Sequence, residues 1–122
     1  MSQVALWCVV GAVGGLGAIL RFTVDGLISS RANRDFPLGT MGVNLSGAAL
    51  LGGLAGAGLH GHALLVLGTG LLGSYTTFST WMLETHGQAE GGDFAGGAIN
   101  LVGSLLLGLG AAALGRLIAD AL

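Results

Sequence analysis

Four long apolar stretches, separated by short polar or glycine-rich segments, constrain this chain more than any other feature of its sequence. They run over about 4–29, 38–59, 63–86 and 94–118. A bilayer core about 30 Å thick needs about 20 helical residues, so each stretch is long enough to cross it. Helices satisfy their own backbone hydrogen bonds in lipid, and the alternating pattern of barrel strands is absent. The sequence therefore predicts one all-α domain of four transmembrane helices.

The scarcity of charge supports this prediction. Only 8% of the 122 residues are charged, and 52% are hydrophobic. A soluble domain usually carries about 25% charged residues, so most of this surface must face lipid. The chain has no lysine and no basic stripe that could hold a nucleic acid.

The few arginines give only a weak signal for orientation. Four crossings would put both chain ends on one side with Arg116, and would put Arg31 and Arg34 on the other. This positive-inside bias is small, so the chain could insert in either direction. We therefore predict that two copies pair antiparallel. Arg21, near the end of the first stretch, either reaches to the interface or attracts anions in a water-filled vestibule.

Polar side chains interrupt two otherwise apolar stretches that have small residues at every fourth position. Asn44 lies in the second stretch, and Asn100 and Ser104 lie in the fourth. Small residues on one face indicate close helix packing. A buried amide needs hydrogen-bond partners, so these side chains either join helices to one another or line a path for water or ions.

The third stretch contains a run that favours a break in the helix. Residues 74–80 hold five serine or threonine hydroxyls, and Tyr75 adds a phenol. Such hydroxyls compete for backbone groups, and Gly and Thr are mediocre helix formers. A break would free carbonyls that suit a hard cation such as Na⁺, and amides and hydroxyls that suit a small anion. The alternative is a continuous helix whose hydroxyls bond back to its own carbonyls.

Four motifs, one in each stretch, resemble those of the Fluc (CrcB) fluoride channels along essentially the whole chain. The third motif is the most diagnostic, because it combines the hydroxyl run with an aromatic residue and a later glutamate. The motifs read GGLGAILRF at 14–22, GTMGVNLSG at 39–47, GSYTTFSTWMLE at 73–84 and NLVGS at 100–104.

The resemblance implies an antiparallel, dual-topology homodimer with two fluoride pores in the cell inner (plasma) membrane. It implies a structural Na⁺ at the dimer centre, held by the backbone carbonyls of Gly73 and Thr76 from each subunit. It also implies a fluoride pathway. This pathway is lined by an asparagine amide, by the edges of aromatic rings, by polar side chains of the fourth helix and by an arginine in a water-filled vestibule. The corresponding residues are Asn44, Tyr75, Phe78, Ser79, Thr80, Asn100, Ser104 and Arg21. Tyr75 departs from the family pattern, which often has phenylalanine at this position.

The function implied by the resemblance is passive export of cytoplasmic fluoride, which would lower its toxicity. Fluoride is small and strongly hydrated, so a pore must replace its water with many donors that bind it weakly enough to release it. Amides, hydroxyls and the positive edges of aromatic rings are neutral donors of this kind.

Three other classes of protein fit the sequence less well. A small multidrug exporter needs an acidic residue in its first helix, and residues 1–20 contain none. A membrane assembly subunit would have no need for amides and hydroxyls at mid-span. An enzyme is not indicated, because His60, His62 and His86 lie near loops and converge with no nucleophile or metal-ligand set.

Overall fold

A computed structural model describes residues 2–32 and 36–122, and its described residues form helices and turns without any strand. Arg34, used above to predict orientation, lies outside the described residues. Three helical stretches are long and apolar enough to cross a membrane, and the chain is therefore a multi-pass membrane protein. They are Gln3–Arg31, Leu38–Gly56 and Phe94–Ala121.

The first two spans are continuous helices. Helix α1 (Gln3–Arg31) begins after Ser2, whose hydroxyl accepts a hydrogen bond from the Ala5 amide at 3.1 Å. This is an ordinary N-cap, which satisfies one of the free amides of the first turn. Helix α2 (Leu38–Gly56) follows Pro37, whose fixed backbone angle suits the residue that leads into a helix.

The third span is interrupted, as the hydroxyl-rich run predicted. It consists of three pieces before the break and one after it. Thr76, at the break, is extended with φ −81° and ψ 161°, so the helix axis cannot continue through it. The pieces are α3 (Gly61–Leu64), a first π-helical segment (Leu65–Leu72), α4 (Gly73–Tyr75) and α5 (Ser79–Glu90).

The fourth span is helical throughout but changes its winding. Helix α6 (Phe94–Ala98) leads into a second π-helical segment (Ile99–Gly103) and then into α7 (Ser104–Ala121). Asp93 caps α6 by accepting a hydrogen bond from the Gly96 amide at 2.9 Å.

Helices α2 and α7 form the most extensive packing contact in the molecule. Their backbones approach so closely that a Cβ atom added to Gly52 would meet the Ala112 carbonyl, and one added to Gly115 would meet the Ala49 carbonyl. Small residues are what allow membrane helices to approach to this distance. Small residues of the second and fourth stretches therefore lie against each other at this contact.

Little of the apolar surface is buried within the single chain. The buried hydrophobic cluster consists of Val43, Leu72 and Tyr75, which lie where α2 meets the interrupted span. Many large apolar side chains point outward, as expected for surfaces covered by lipid or by another chain. Examples are Ile19, Phe22, Leu50, Phe78, Leu105 and Leu109.

Candidate functional site

The break is held by the side-chain amide of Asn44. Asn44 Nδ2 donates to the Thr77 carbonyl at 2.8 Å, and the Thr77 amide donates to Asn44 Oδ1 at 2.8 Å. The Asn44 side chain and the unwound Thr77 backbone thus exchange two hydrogen bonds, as two paired residues do in a β-sheet. The predicted pore asparagine therefore uses one amide hydrogen and its oxygen to support the break, and one Nδ2 hydrogen remains.

The start of α5 is capped by a threonine that lies outside the helix. Thr77 Oγ1 accepts a hydrogen bond from the Thr80 amide at 3.2 Å and donates to Thr80 Oγ1 at 3.2 Å. In the described part of the chain, the amide of Phe78 bonds to no acceptor. The start of α5 thus presents a free N–H group at the break, where a helix start favours an anion.

Two carbonyls at the break also lack donors. Within residues 2–32 and 36–122, nothing donates to the carbonyl of Gly73 or to that of Thr76. Gly73 is exposed and Thr76 is half-buried, so both can be approached from outside the chain. The Thr76 hydroxyl is turned inward and donates to the Leu72 carbonyl at 3.0 Å. These are the two residues that the resemblance assigns to Na⁺.

Tyr75 lies inside the bundle and is tied to α2. Its hydroxyl is 2.9 Å from Ser46 Oγ, and Ser46 Oγ donates to the Val43 carbonyl at 3.0 Å. Because the Ser46 hydrogen is used in that bond, Tyr75 must be the donor to Ser46. Its ring also packs against Gly47. The structure places this predicted pathway residue as a buried support of the break.

Phe78 is the aromatic residue that faces outward at the break, with 69% of its surface exposed. Its ring meets that of Trp81 edge to face, with centroids 5.7 Å apart and planes at 89°. Both rings line a cavity of about 450 Å³ that also includes Asn44, Gly73 and Ser104. We call this cavity the broad groove. Ser79, the neighbour of Phe78, is exposed.

Asn100 and Ser104 belong to a polar network between the fourth span and α5. Asn100 is only 2% exposed, and its Nδ2 donates to Thr85 Oγ1 at 2.9 Å. Ser104 Oγ donates to Asn100 Oδ1 at 3.3 Å, and Trp81 Nε1 donates to the Asn100 carbonyl at 3.0 Å. These bonds link the fourth span to α5 and so join the two elements firmly.

Arg21 lies at a second, smaller cavity of about 200 Å³, which we call the Arg21 pocket. Asp25, Thr40, Thr77 and Thr80 also line this pocket. Arg21 is half-buried there, and its role in a vestibule stays a prediction. Since Thr77 lines both cavities, the break separates the Arg21 pocket from the broad groove.

Sequence reasoning did not single out four residues that the structure brings into the site. Trp81 follows Phe78 by three positions, so helical spacing could have indicated it, whereas Ser46 is two positions after Asn44 and lies on another face of α2. The role of Thr77 as a cap follows the rule that Ser or Thr precedes a helix start. Nothing in the local sequence indicates that Thr85 meets Asn100, because that contact depends on how two spans pack.

Comparison with known proteins places these residues in a family. The family model described as "CrcB-like protein, Camphor Resistance (CrcB)" matches residues 8–116. The chain is 51% identical over 120 residues to fluoride-specific ion channel FluC 2 of Mycolicibacterium paratuberculosis, covering 98% of each chain. It is 52% identical over 117 residues to the protein of that name from Mycobacterium tuberculosis, covering 96% of this chain and 93% of the relative.

A more distant relative gives the same assignment. Fluoride-specific ion channel FluC 1 of Rubrobacter xylanophilus is 48% identical over 99 residues, which is 80% of each chain. The family match extends from the first span to the fourth and includes every motif quoted above. This chain therefore belongs to the CrcB-like family.

Proposed function

We propose that this chain is a subunit of a fluoride-selective ion channel. The observation that carries the proposal is its similarity, over nearly its whole length, to proteins named fluoride-specific ion channels. A member of such a family moves an ion and catalyses no covalent reaction. The geometry of the break supports the proposal, because it places neutral hydrogen-bond donors beside two cavities.

The proposed route runs between the Arg21 pocket and the broad groove. The Arg21 guanidinium attracts an anion to the pocket, where Thr80 contributes a hydroxyl. Beyond the break, the ring edge of Phe78, the remaining Nδ2 hydrogen of Asn44 and the Ser79 hydroxyl are available as weak donors. Neutral donors suit a conducted ion, since each binds fluoride without trapping it.

The buried members of the predicted pathway act differently in this proposal. Tyr75, Asn100 and Ser104 each donate to a neighbour within the chain. We propose that all three fix the walls of the pathway, and that fluoride contacts only Asn100 among them, through the hydrogen that the network leaves free. Asn100 retains one Nδ2 hydrogen for this purpose.

A structural Na⁺ fits the carbonyls of Gly73 and Thr76. Both oxygens are without donors in the described residues, and unwound backbone carbonyls are the groups that hold Na⁺ in membrane proteins. The ion would supply positive charge that compensates the exposed carbonyl dipoles. Two oxygens are too few to enclose a cation, so the proposal requires a second copy that contributes the same pair.

A second copy meeting at the broad groove would provide that pair. Gly73 and Thr76 line the groove together with exposed apolar residues such as Phe78. A two-fold axis in the membrane plane would bring identical surfaces together and orient the copies antiparallel. The weak arginine bias described above is consistent with insertion in both orientations.

The proposed physiological role is protection at the inner (plasma) membrane. Fluoride enters cells as neutral HF, ionises in the less acidic interior and cannot leave through lipid as an anion. A passive fluoride-selective pore lets the trapped ion leave down its gradient.

Efflux from liposomes tests the proposed function. Purified protein is reconstituted into vesicles loaded with potassium fluoride or potassium chloride, and valinomycin is added to start electrically balanced efflux. We expect fluoride to leave much faster than chloride, as followed with ion-selective electrodes. Equal rates for the two anions, or rates equal to those of protein-free vesicles, would refute the proposal.

A further inference from the structure

We propose that Asn44 and the Thr77 hydroxyl are positioning residues that keep the Gly73 and Thr76 carbonyls free for a cation. This inference rests on the proposed function, since it deepens the assignment of the cation site. It gives Asn44 a task besides lining the fluoride pathway. It also explains why an unwound segment persists at a depth where lipid offers no hydrogen-bond partners.

The helix rule identifies which donors are missing. In a continuous α-helix, each carbonyl accepts a hydrogen bond from the amide four residues later. The Gly73 carbonyl would therefore accept from the Thr77 amide, and the Thr76 carbonyl from the Thr80 amide. A cation can bind these two oxygens only if both amides find other acceptors.

Both amides do find other acceptors in the structure. The Thr77 amide donates to Asn44 Oδ1 at 2.8 Å, and the Thr80 amide donates to Thr77 Oγ1 at 3.2 Å. The two redirected amides are thus the helical donors of the Gly73 and Thr76 carbonyls, and both of these carbonyls lack donors. Asn44 Nδ2 also occupies the Thr77 carbonyl at 2.8 Å, so that oxygen is not left free beside them.

If either acceptor is lost, the amide that it binds should return to its helical carbonyl, and that carbonyl is then no longer free for a cation. Without Asn44, the Thr77 amide would be unpaired within the bundle, and the Gly73 carbonyl is its natural helical acceptor. Without the Thr77 hydroxyl, the Thr80 amide would return to the Thr76 carbonyl in the same way. In both cases α4 extends toward α5 and the cation loses an oxygen ligand.

The test measures Na⁺ binding through protein stability instead of fluoride flux. The midpoint of thermal unfolding of the purified protein is recorded as NaCl replaces N-methyl-D-glucamine chloride at constant ionic strength. A bound ion stabilises the folded protein by mass action, so the wild-type midpoint should rise with Na⁺. Asn44→Ala and Thr77→Val should raise the Na⁺ concentration for half of this effect about tenfold or more, as expected for a lost hydrogen-bond acceptor.

Two variants serve as controls. Thr77→Ser keeps the hydroxyl and should retain the wild-type Na⁺ dependence. Asn100→Ala removes another buried amide, one that contacts Thr85 and Ser104 and not the break. It should lower the unfolding midpoint at every Na⁺ concentration without moving the concentration for half effect.

Several results would overturn the inference. Wild-type Na⁺ dependence in Asn44→Ala or in Thr77→Val would mean that the side chain concerned does not control the carbonyls. If Asn44→Ala does not fold, Thr77→Val decides the question. A wild-type protein that ignores Na⁺ would remove the cation site and this inference with it, whereas fluoride efflux from liposomes would still stand or fall separately.

Discussion

Asn44 and Phe78 lie side by side at the break but have different surroundings. The Asn44 amide is bonded to the Thr77 backbone, whereas Phe78 touches Trp81 on one side and is open on the other. Elsewhere in the candidate site, too, the buried amides and hydroxyls are bonded to other groups of the protein. Phe78 and Arg21 are thus the side chains most able to act on a passing anion.

Truncation of Phe78 tests whether its exposed ring acts on the passing anion. Phe78→Ala removes the ring edge and its contact with Trp81, which is worth about 1 kcal/mol for such aromatic pairs. We expect fluoride efflux from liposomes to fall about fivefold or more. Phe94→Ala is the matched control, because Phe94 is similarly exposed at the start of α6, away from both cavities, and should leave efflux unchanged. Equal efflux from the two variants would contradict the assignment of Phe78.

Prediction from sequence was uneven at this scale. The motif at residues 73–84 predicted Phe78, Gly73 and Thr76 as site residues, because their types match the family pattern, and their roles stay predictions. It could not show that Asn44 reaches Thr77, because the two are 33 positions apart and meet only through packing of α2 on the break. The partners of Asn100 were equally unpredictable for this reason.

At the scale of elements, the interrupted span depends on two kinds of contact. One is the pair of hydrogen bonds between Asn44 and Thr77, and the other is the close packing of small residues around the break. A Cβ atom at Gly47 would meet the Thr76 methyl group, and one at Gly17 would meet the Leu71 carbonyl. Glycine is needed at such positions because neighbouring backbone or side chains already occupy the space.

The packing of α2 on α7 gives a prediction about stability. Gly115→Ala places a methyl group against the Ala49 carbonyl, and such overpacking costs about 1–3 kcal/mol. Its unfolding midpoint in detergent should therefore fall well below that of the wild type. Gly110→Ala makes the same substitution on the same helix where nothing lies within 4 Å, and should be neutral or slightly stabilising. Indistinguishable midpoints would show that α2 and α7 are not in close contact.

The sequence predicted the break better than the winding of the helices around it. Hydroxyls and glycine in residues 73–80 are local signals for a break, and the interruption lies among them. The π-helical segments Leu65–Leu72 and Ile99–Gly103 lack such a run of hydroxyls, although the first contains glycine and threonine. A π turn inserts one residue relative to an α turn, and its position depends on which side chains must face a neighbouring element.

At the scale of the whole molecule, one chain is apolar outside and sparsely packed inside. Its hydrophobic cluster is small, the broad groove opens beside the break, and Gly73, whose carbonyl lacks a donor, is exposed. Lipid cannot satisfy a carbonyl, so a partner at this surface is the simplest way to complete the fold. The proposed antiparallel dimer does so by symmetry.

Labelling at the C-terminus tests the antiparallel arrangement. In a Cys8→Ser background, Leu122→Cys gives one reactive thiol at the end of α7. A membrane-impermeant maleimide added outside sealed membrane vesicles should label about half of the molecules, and detergent should expose the remainder. Labelling of nearly all or nearly none of the protein before detergent would indicate a single orientation and rule out the dual-topology dimer.

The central claim is that this chain forms a pore selective for fluoride, and the reversal potential in a planar bilayer tests it most directly. With fluoride on one side and an equal concentration of chloride on the other, current should reverse far from zero, at a voltage that opposes fluoride flow. Such a value requires fluoride permeability to exceed chloride permeability by orders of magnitude. A reversal potential near zero, from a protein that conducts, would show that the pore does not distinguish the two anions.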